Sequence, residues 1–486
     1  MGAGFEAVIG LEVHVQLRTR SKMFCACENA FGGPPNVRTC PVCLGLPGAL
    51  PVPNQEAVRM AVLLGHALGA EIREESWFYR KQYFYPDLPK GFQITQGPVA
   101  VVEGGSLEIP GDPEVRGGPG PLRIRIERAH LEEDAGKNFH GTRAGETWVD
   151  LNRAGVPLLE IVGAPDLRSP REAQETLKVL HRLVTALGIC DGNMEEGAFR
   201  CDANISLRPG GQEALGTRVE IKNLNSFNHL RRALAYEVAR QTALLNAGEK
   251  VGAETRGWDA SSGETLPQRG KEAAMDYRYF PEPDLPPLRL HRDWIQALRS
   301  SLPELPEARR ARWTARFELG PDETATLAQS PEFADYFDRL AEACGDGRSA
   351  ANWMLGDLSR VLNARGGSLE ALGLEPGRLG ELLRLVSSGR LSLSSAREQV
   401  FPRLFEDPGS PGEIAERLGL SQVRDPEFVA ETVRGVLAAH PAQAAQLRQG
   451  KEALRGFLVG KVLKAGGGRL DPVQVHEILA KELARD

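Results

Sequence analysis

VIGLEVHVQL, residues 8–17, alternates without a break. Leu11, Val13, Val15 and Leu17 fall on one side of an extended chain, and Glu12, His14 and Gln16 on the other. Three more stretches share the period. RIRIE (123–127) sets Ile124 and Ile126 against Arg123, Arg125 and Glu127. CDANISL (201–207) sets Ala203, Ile205 and Leu207 against Asp202, Asn204 and Ser206. RVEIKN (218–223) sets Val219 and Ile221 against Arg218, Glu220 and Lys222. Period-2 writing of this kind specifies antiparallel sheet with one apolar and one polar face. For any single strand the polar face is simply solvated. Glu-His, Asp-Asn and Arg-Glu are not the usual Lys, Thr and Glu of a solvated face, however. Side by side, such strands make a polar floor able to hold a cation and a phosphate, and that is the reading adopted.

Outward from these strands the chain changes character. The first ~295 residues are rich in strands, Gly and Pro. From about Asp293, DWIQALRSSLPELPEARRARWTARF and SAANWMLGDLSRVLNARG carry helical spacing. FEDPGSPGEIAERLGL (405–420) places Pro and Gly breakers ahead of a new helix, and short helices follow. The expected class is α+β: a mainly antiparallel-sheet, cradle-like catalytic domain (1–295), a helical domain (296–408) and a small helical tail domain (409–486).

Composition narrows the function. In 486 residues, 41% hydrophobic and 26% charged is ordinary soluble usage, and the net charge of −6 puts any nucleic-acid contact on local basic patches. No stretch approaches the ~20 apolar residues of a membrane span. MGAGFEAVIG has no basic region ahead of an apolar one, and Glu6 stands where a myristoylation signal needs Ser or Thr. A cytoplasmic protein is expected.

Four of the seven cysteines cluster as C-x-C-x12-C-P-V-C-L-G: Cys25, Cys27, Cys40 and Cys43. Four thiolates at this spacing fit a closed tetrahedral structural Zn²⁺ site, with Gly45 making the tight turn. The alternative is a degenerate knuckle that folds without metal. Cys190, Cys201 and Cys344 sit among apolar neighbours and read as inert buried thiols.

HLEEDAGKNFH (130–140) puts Glu132, Glu133 and Asp134 side by side. Clustered carboxylates repel unless a cation sits among them or water screens them. With Glu12, His14, Asp202 and Glu220 they could supply ligands for Mg²⁺, although an imidazole suits Mn²⁺ or zinc better. A salt-bridged surface loop answered by Lys137 is the other reading. FYRKQYFYPDLPKGFQ offers Arg80, Lys81 and Lys90 for phosphates. There is no GxxxxGK[ST], no GxGxxG, no HExxH and no GxSxG, so any ATP site has a rarer architecture.

The longer motifs are more specific. GLEVHVQL, the four-cysteine knuckle, RKQYFYPDLPKGFQITQ, HLEEDAGK, DLNRAGVPLLEIV, GNMEEGAFRCDANISLR, EIKNLNSF and DYRYFPEPDLPP follow one another in the order and wording of one family. Together they resemble the B subunits of aspartyl/glutamyl-tRNA amidotransferases (GatB), and GKEALRGFLVGKVLKA resembles that family's tail. The resemblance runs nearly end to end. It implies ATP-dependent phosphorylation of the side-chain carboxylate of Asp-tRNA(Asn) or Glu-tRNA(Gln), followed by displacement of phosphate by ammonia. Carried over by motif, Glu12, His14, one or both of Glu132 and Glu133, Asp202 and Glu220 line the Mg²⁺ (or Mn²⁺) site. Lys81 stands beside it, and Arg80 and Lys81 with Asp202 and Glu220 hold ATP. It further implies a heterotrimer with two other chains: an amidase (the family's A chain), from which ammonia is channelled, and a small C chain that clamps the two. Misacylated tRNA and the cognate aminoacyl-tRNA synthetase complete the expected partners.

Two other functions fit parts of the sequence: a non-catalytic zinc-knuckle RNA-binding adaptor, and a self-sufficient ligase using free ammonia. In LRQGKEALRGFLVGKVLKA, Arg448, Lys451 and Arg455 fall at i, i+3 and i+7, the spacing of one helix stripe, with Lys461 and Lys464 in the last turn. Read with the resemblance, this is a tRNA-binding stripe. Without it, it is an ordinary amphipathic helix.

Overall fold

The computed structural model describes residues 4–140, 145–268, 276–420, 426–467 and 470–484. The chain is an α+β protein with two compact units, Met1–Pro306 and Glu307–Asp486. Among the described residues, the first unit is organised by a thirteen-stranded sheet. The strands that build the floor are β1 (Phe5–Gln16), β2 (Phe78–Gln82), β3 (Phe92–Gln96) and β4 (Pro121–Glu133). A separate hairpin follows, β5 (Lys137–His140) and β6 (Thr147–Asp150). The sheet then resumes with β7 (Pro157–Gly163), β8 (Phe199–Pro209), β9 (Val219–Leu224), β10 (Glu254–Asp259) and β11 (Glu264–Pro267). Their order across the sheet is β11-β10-β9-β8-β1-β7-β4-β3-β2, with Phe280–Pro281 paired beyond β2. Along this path only β9 and β10 pair in parallel.

β1 is central, held by β7 on one side and β8 on the other. Its odd residues Leu11, Val13 and Val15 are buried in the same core as helices α1 (Gln55–Ala67), α2 (Pro170–Ala186) and α3 (Phe227–Asn246). A fully buried Val or Leu side chain contributes roughly 1.5–3 kcal/mol, so the alternation of β1 is locked: a one-residue slip would put Glu12 and His14 into that core. Helix starts follow from local chemistry. Asn54, Ser169 and Ser226 cap α1, α2 and α3 with side chains that accept backbone N–H groups of the first turn.

β4 carries a feature its alternation hides. Val162 faces Arg128 while the next residue, Gly163, faces Ile126, so Glu127 is an extra residue on β4. This bulge exchanges the faces of the strand. Before it, Ile124 and Ile126 point into the core; after it, Ala129 and Leu131 do, and His130 and Glu132 turn to the polar face. The stretch 104–122 is a hairpin whose loop holds a short helix, Pro113–Arg116. Arg116 pairs there with the fully buried Glu172, at 2.7 Å.

The second unit is helical and holds two apolar clusters. One centres on Trp313, Phe337, Leu379 and Phe401 and takes in Ile414 and Ala415 of α4 (Pro411–Arg417). The other joins Val429, Val433, Leu458, Val462, Val475 and Leu479. Near the chain end, α5 (Pro441–Arg448) and α6 (Ala453–Ala465) are separate helices. That corrects the single helix stripe expected of Arg448, Lys451 and Arg455. Gln449 caps α5 and Gly450 takes φ +92°, a left-handed conformation that ends a helix. Arg448 therefore closes one helix, Lys451 lies in the turn, and Arg455 belongs to the next helix. No helix among the described residues is long and apolar enough to cross a membrane.

Candidate functional site

The polar floor exists, and register decides which side chains meet on it. On β1, His14 stands directly opposite Glu160 of β7 and Arg200 of β8; Glu160 in turn stands opposite His130 of β4. Glu12 is opposite Asp202, and Asn204 is opposite Glu220. At the centre, His14 Nε2 is 3.3 Å from Glu160 and 4.0 Å from Glu132. His130 Nε2 lies 3.7 Å from Glu132 and 3.6 Å from Glu160, and its buried Nδ1 has no hydrogen-bond partner. Thr95 of β3 donates to Glu132 at 3.1 Å.

These groups are strongly coupled. Burial disfavours ionised Glu160, but hydrogen bonding from His14 and the charges of His130, His14 and Lys81 hold its carboxyl down at about 2. Burial likewise disfavours charged His14, yet Glu160 and Glu132 raise its pKa above the ordinary imidazole value. Lys81 follows the same logic: desolvation opposes the ammonium, and Glu132 first among its neighbours outweighs it. Its Nζ lies 4.9 Å over the ring of Tyr277, which packs edge-on against Tyr83 and Tyr279.

A second group adjoins the first. Lys222 bridges Asp202 at 3.2 Å and Glu220 at 3.0 Å, Asn204 donates to Glu12 at 3.0 Å, and Thr255 donates to Glu220 at 2.8 Å. Burial, then the neighbouring Glu160, raises the pKa of Glu12, with Glu220 and Asp202 adding to it and the hydrogen bond from Asn204 opposing. A carboxyl held up by other carboxyls is relieved by a cation. At the floor's other end Asp134 is buried, and Arg200 (3.0 Å), Arg153 (3.7 Å) and Gln16 (2.8 Å) outweigh that burial to keep it ionised.

Of the residues proposed from sequence, Glu12, His14, Lys81, Glu132, Asp202 and Glu220 share this face. Glu133 and Arg80 do not, because strand alternation turns both to the opposite face. Glu133 accepts the backbone N–H of Ile94 at 3.0 Å and ion-pairs with Lys90. Arg80 pairs with the buried Glu282 at 2.8 Å and stacks on Phe92. Sequence reading passed over Glu160, His130 and Arg200. A signal for Glu160 was present: a lone acid inside the apolar PLLEIVG needs a partner if that strand is central.

His14, Glu132 and Glu160 offer donor atoms within 4.8 Å of one another, a spacing that small rotations close around one divalent ion. One imidazole with two carboxylates fits Mn²⁺ at least as well as Mg²⁺. The four knuckle sulfurs also lie within 4.8 Å of one another, and Cys40 and Cys43 are 3.9 Å apart. Tetrahedral S₄ zinc with bonds near 2.3 Å needs sulfurs about 3.8 Å apart, so this set fits. The Cys25 thiol hydrogen-bonds to Cys43 and, with the Cys40 backbone and Lys22, brings Cys43 down to about 5 despite burial. Lys22 is itself fully buried, donating to the carbonyl of Arg38 at 2.7 Å. Gly45 turns with φ +65°, and a side chain there would collide with Lys90. Cys190 and Cys201 are pushed up by burial, Cys190 to about 12, as unreactive thiols are.

Residues 7–296 match the family described as the GatB/GatE catalytic domain, and residues 335–483 match the GatB domain. The chain belongs to the GatB family. Similar proteins run its full length. The B subunit of the aspartyl/glutamyl-tRNA(Asn/Gln) amidotransferase of Nitrosococcus oceani is 49% identical over 99% of this chain and 100% of its own. Those of Trichlorobacter lovleyi and Halorhodospira halophila are 46% and 49% identical, over 99% of both chains in each case. By their names these relatives are each one subunit of a tRNA amidotransferase, and the polar floor of this chain lies wholly within the matched catalytic region.

Proposed function

We propose that this chain activates and amidates the side-chain carboxylate of misacylated tRNA, Asp-tRNA(Asn) and/or Glu-tRNA(Gln). The carboxylate oxygen attacks the γ-phosphorus of ATP, ADP leaves, and an acyl phosphate forms. Ammonia then attacks the acyl carbon, phosphate leaves, and the nitrogen sheds a proton to give the amide. The observation that carries this reading is the convergence of His14, Glu132, Glu160 and Lys81 on one sheet face. A divalent ion, Mg²⁺ or Mn²⁺, bound by His14, Glu132 and Glu160 supplies positive charge for the phosphates. Lys81 places a further cation where γ-phosphate and carboxylate would meet. Glu12, Asp202, Glu220 and Lys222 orient the ATP side of the floor, and the pairing of Arg200 with the buried Asp134 keeps the facing end rigid.

The same reading assigns activation to residues 1–295 and tRNA binding to 409–486, with a helical domain over 296–408 between them in sequence. Arg448, Lys451, Lys461 and Lys464 are exposed there, with Arg455 half-buried. Structural zinc in the knuckle, a heterotrimer with the amidase and the small clamping chain, contact with the cognate synthetase and a cytoplasmic location complete it. In the assembled complex, ATP, misacylated tRNA and glutamine should yield ADP and amidated tRNA together. His14→Ala should abolish both while glutamine hydrolysis continues. Normal ADP and amide formation by His14→Ala would sink the proposal.

A further inference from the structure

Beyond the floor, at its Gln16 end, lie two hollows that the activation chemistry does not use. One encloses about 520 Å³ and the other about 270 Å³, and both are walled by Gln16 and Phe31. The smaller is also lined by Lys137, Phe139 and Arg153. Gln16 belongs to the floor as well, since its amide donates to Asp134. Gln16 therefore borders both hollow and floor.

The rim is unusually aromatic for a surface. Phe31 is 68% exposed, Phe139 43% and Trp148 67%. Phe139 and Trp148 are a directly opposed pair across the β5–β6 hairpin, so both rings stand on one face of it. Among the described residues the hairpin pairs only with itself. Lys137 lies on the same face with its Nζ 4.9 Å from the Phe139 ring. Asp150, the acid opposite Lys137, is already engaged by the backbone N–H groups of Asn36 and Asn152, at 3.0 and 2.9 Å.

We infer that this aromatic rim stacks the unpaired 3′-terminal nucleotides of the aminoacylated RNA. The inference rests on the proposed function in one respect: the reacting carboxylate is joined to the terminal ribose by only a few bonds. The last nucleotides must then lie beside the floor. Flat exposed rings with cations next to them are the chemistry that holds single-stranded nucleotides without reading their sequence. Phe84, Tyr85 and Tyr279 are exposed on the Lys81 side as well, but Phe31 and Phe139 line the hollow that Gln16 borders. Lys137 is placed to meet a phosphate, whereas Arg153 is held in the wall by the carbonyls of Ala135 and Gly136, at 2.9 and 2.6 Å.

The test uses the assembled amidotransferase complex. Phe31→Ala and Phe139→Ala should each raise KM for aminoacyl-tRNA roughly 5- to 150-fold, the range lost with one stacked base, and leave kcat unchanged. Phe139→Trp should restore KM, and Phe139→Leu should not. An acceptor-arm RNA hairpin with unpaired 3′ nucleotides should compete better than the same hairpin cut blunt, and Phe139→Ala should erase that difference. Full rescue by Leu would overturn the stacking assignment. So would variants that keep a normal KM but no longer co-elute with the rest of the complex, the mark of a protein-docking face. If the wild-type complex uses no ATP in response to aminoacyl-tRNA, the proposed function fails separately, and the two hairpins still decide whether the rim binds unpaired RNA.

Discussion

Glu160→Gln removes the charge that ties the centre of the floor together. With Glu160 held at about 2 instead of its ordinary 4.5, the ionised carboxylate contributes about 3 kcal/mol to the metal-free protein, at roughly 1.4 kcal/mol per pH unit. This is an upper bound, because losing the charge also relieves Glu12, whose carboxyl Glu160 helps to push up. The pH window follows from the two signs. Glu160 has a depressed pKa, so its contribution is complete above about 4.5 and is lost as pH falls toward 2. His14 has a raised pKa, so its contribution is complete below about 6.5 and is lost as pH rises through its folded value. The pair therefore stabilises most between about pH 4.5 and 6.5.

The assay is thermal unfolding of metal-stripped wild type and Glu160→Gln at about pH 5.5 and pH 9. At about 2–4 °C per kcal/mol for a large domain, the variant should melt up to about 6–12 °C lower at pH 5.5 and by clearly less at pH 9. Metal binding must release the His14 proton, so Mn²⁺ affinity should rise up to tenfold per pH unit below the folded pKa of His14. A melting difference equal at both pH values would refute the ion-pair account of the centre.

Glu132 and Glu133 should behave oppositely. Glu132→Gln should weaken Mn²⁺ binding measured by EPR, whereas Glu133→Gln should leave it unchanged but destabilise the fold by about 3–5 kcal/mol, since it strands the Lys90 ammonium in a buried place. Elemental analysis should find one zinc per chain, and Cys40→Ser should lose it and lower Tm without altering KM for ATP; a metal-free protein of full stability would speak against the knuckle as a metal site. Reversing Lys461 and Lys464 to Glu should raise KM for aminoacyl-tRNA and flatten its dependence on salt, because phosphate contacts release counterions. Unchanged KM at both low and moderate salt would count against a tRNA-binding tail.

Alternation in β1, β8 and β9 made the floor legible, because strand period and face are local properties of sequence. The knuckle was legible for the same reason: its spacing alone brings four sulfurs together. What sequence could not show were consequences of register. Glu160 and His14 are 146 positions apart in the chain and meet only because Val15 pairs with Leu159 beside them. The basic residues at 448–455 looked continuous because helical spacing ignores a glycine able to take positive φ, and Gly450 uses that freedom.

The bulge at Glu127 joins these two lessons. RIRIE buries its even positions, and strict alternation would then send His130 and Glu132 into the core and Ala129 and Leu131 to the polar face. Burying two ionisable groups among α1 and α2 is a heavier penalty than one unpaired backbone residue. The strand therefore takes the extra residue, which lets one strand supply core on both sides of Glu127 and still deliver His130 and Glu132 to the floor. A strand that breaks its own period between an apolar half and an acidic half marks where the sheet stops serving only stability, because local rules in a folded chain give way mainly at functional sites. Deleting Glu127 alone should therefore remove the bulge and keep the faces, because Ile126 then alternates directly through Arg128, Ala129 and His130, whereas deleting Glu127 and Arg128 together should rotate His130 and Glu132 off the floor. Mn²⁺ binding at His14, read by EPR on the purified protein, should survive the single deletion and be lost in the double one. Loss of Mn²⁺ affinity after the single deletion would mean that the bulge itself, and not only the phase of the strand, places His130 and Glu132.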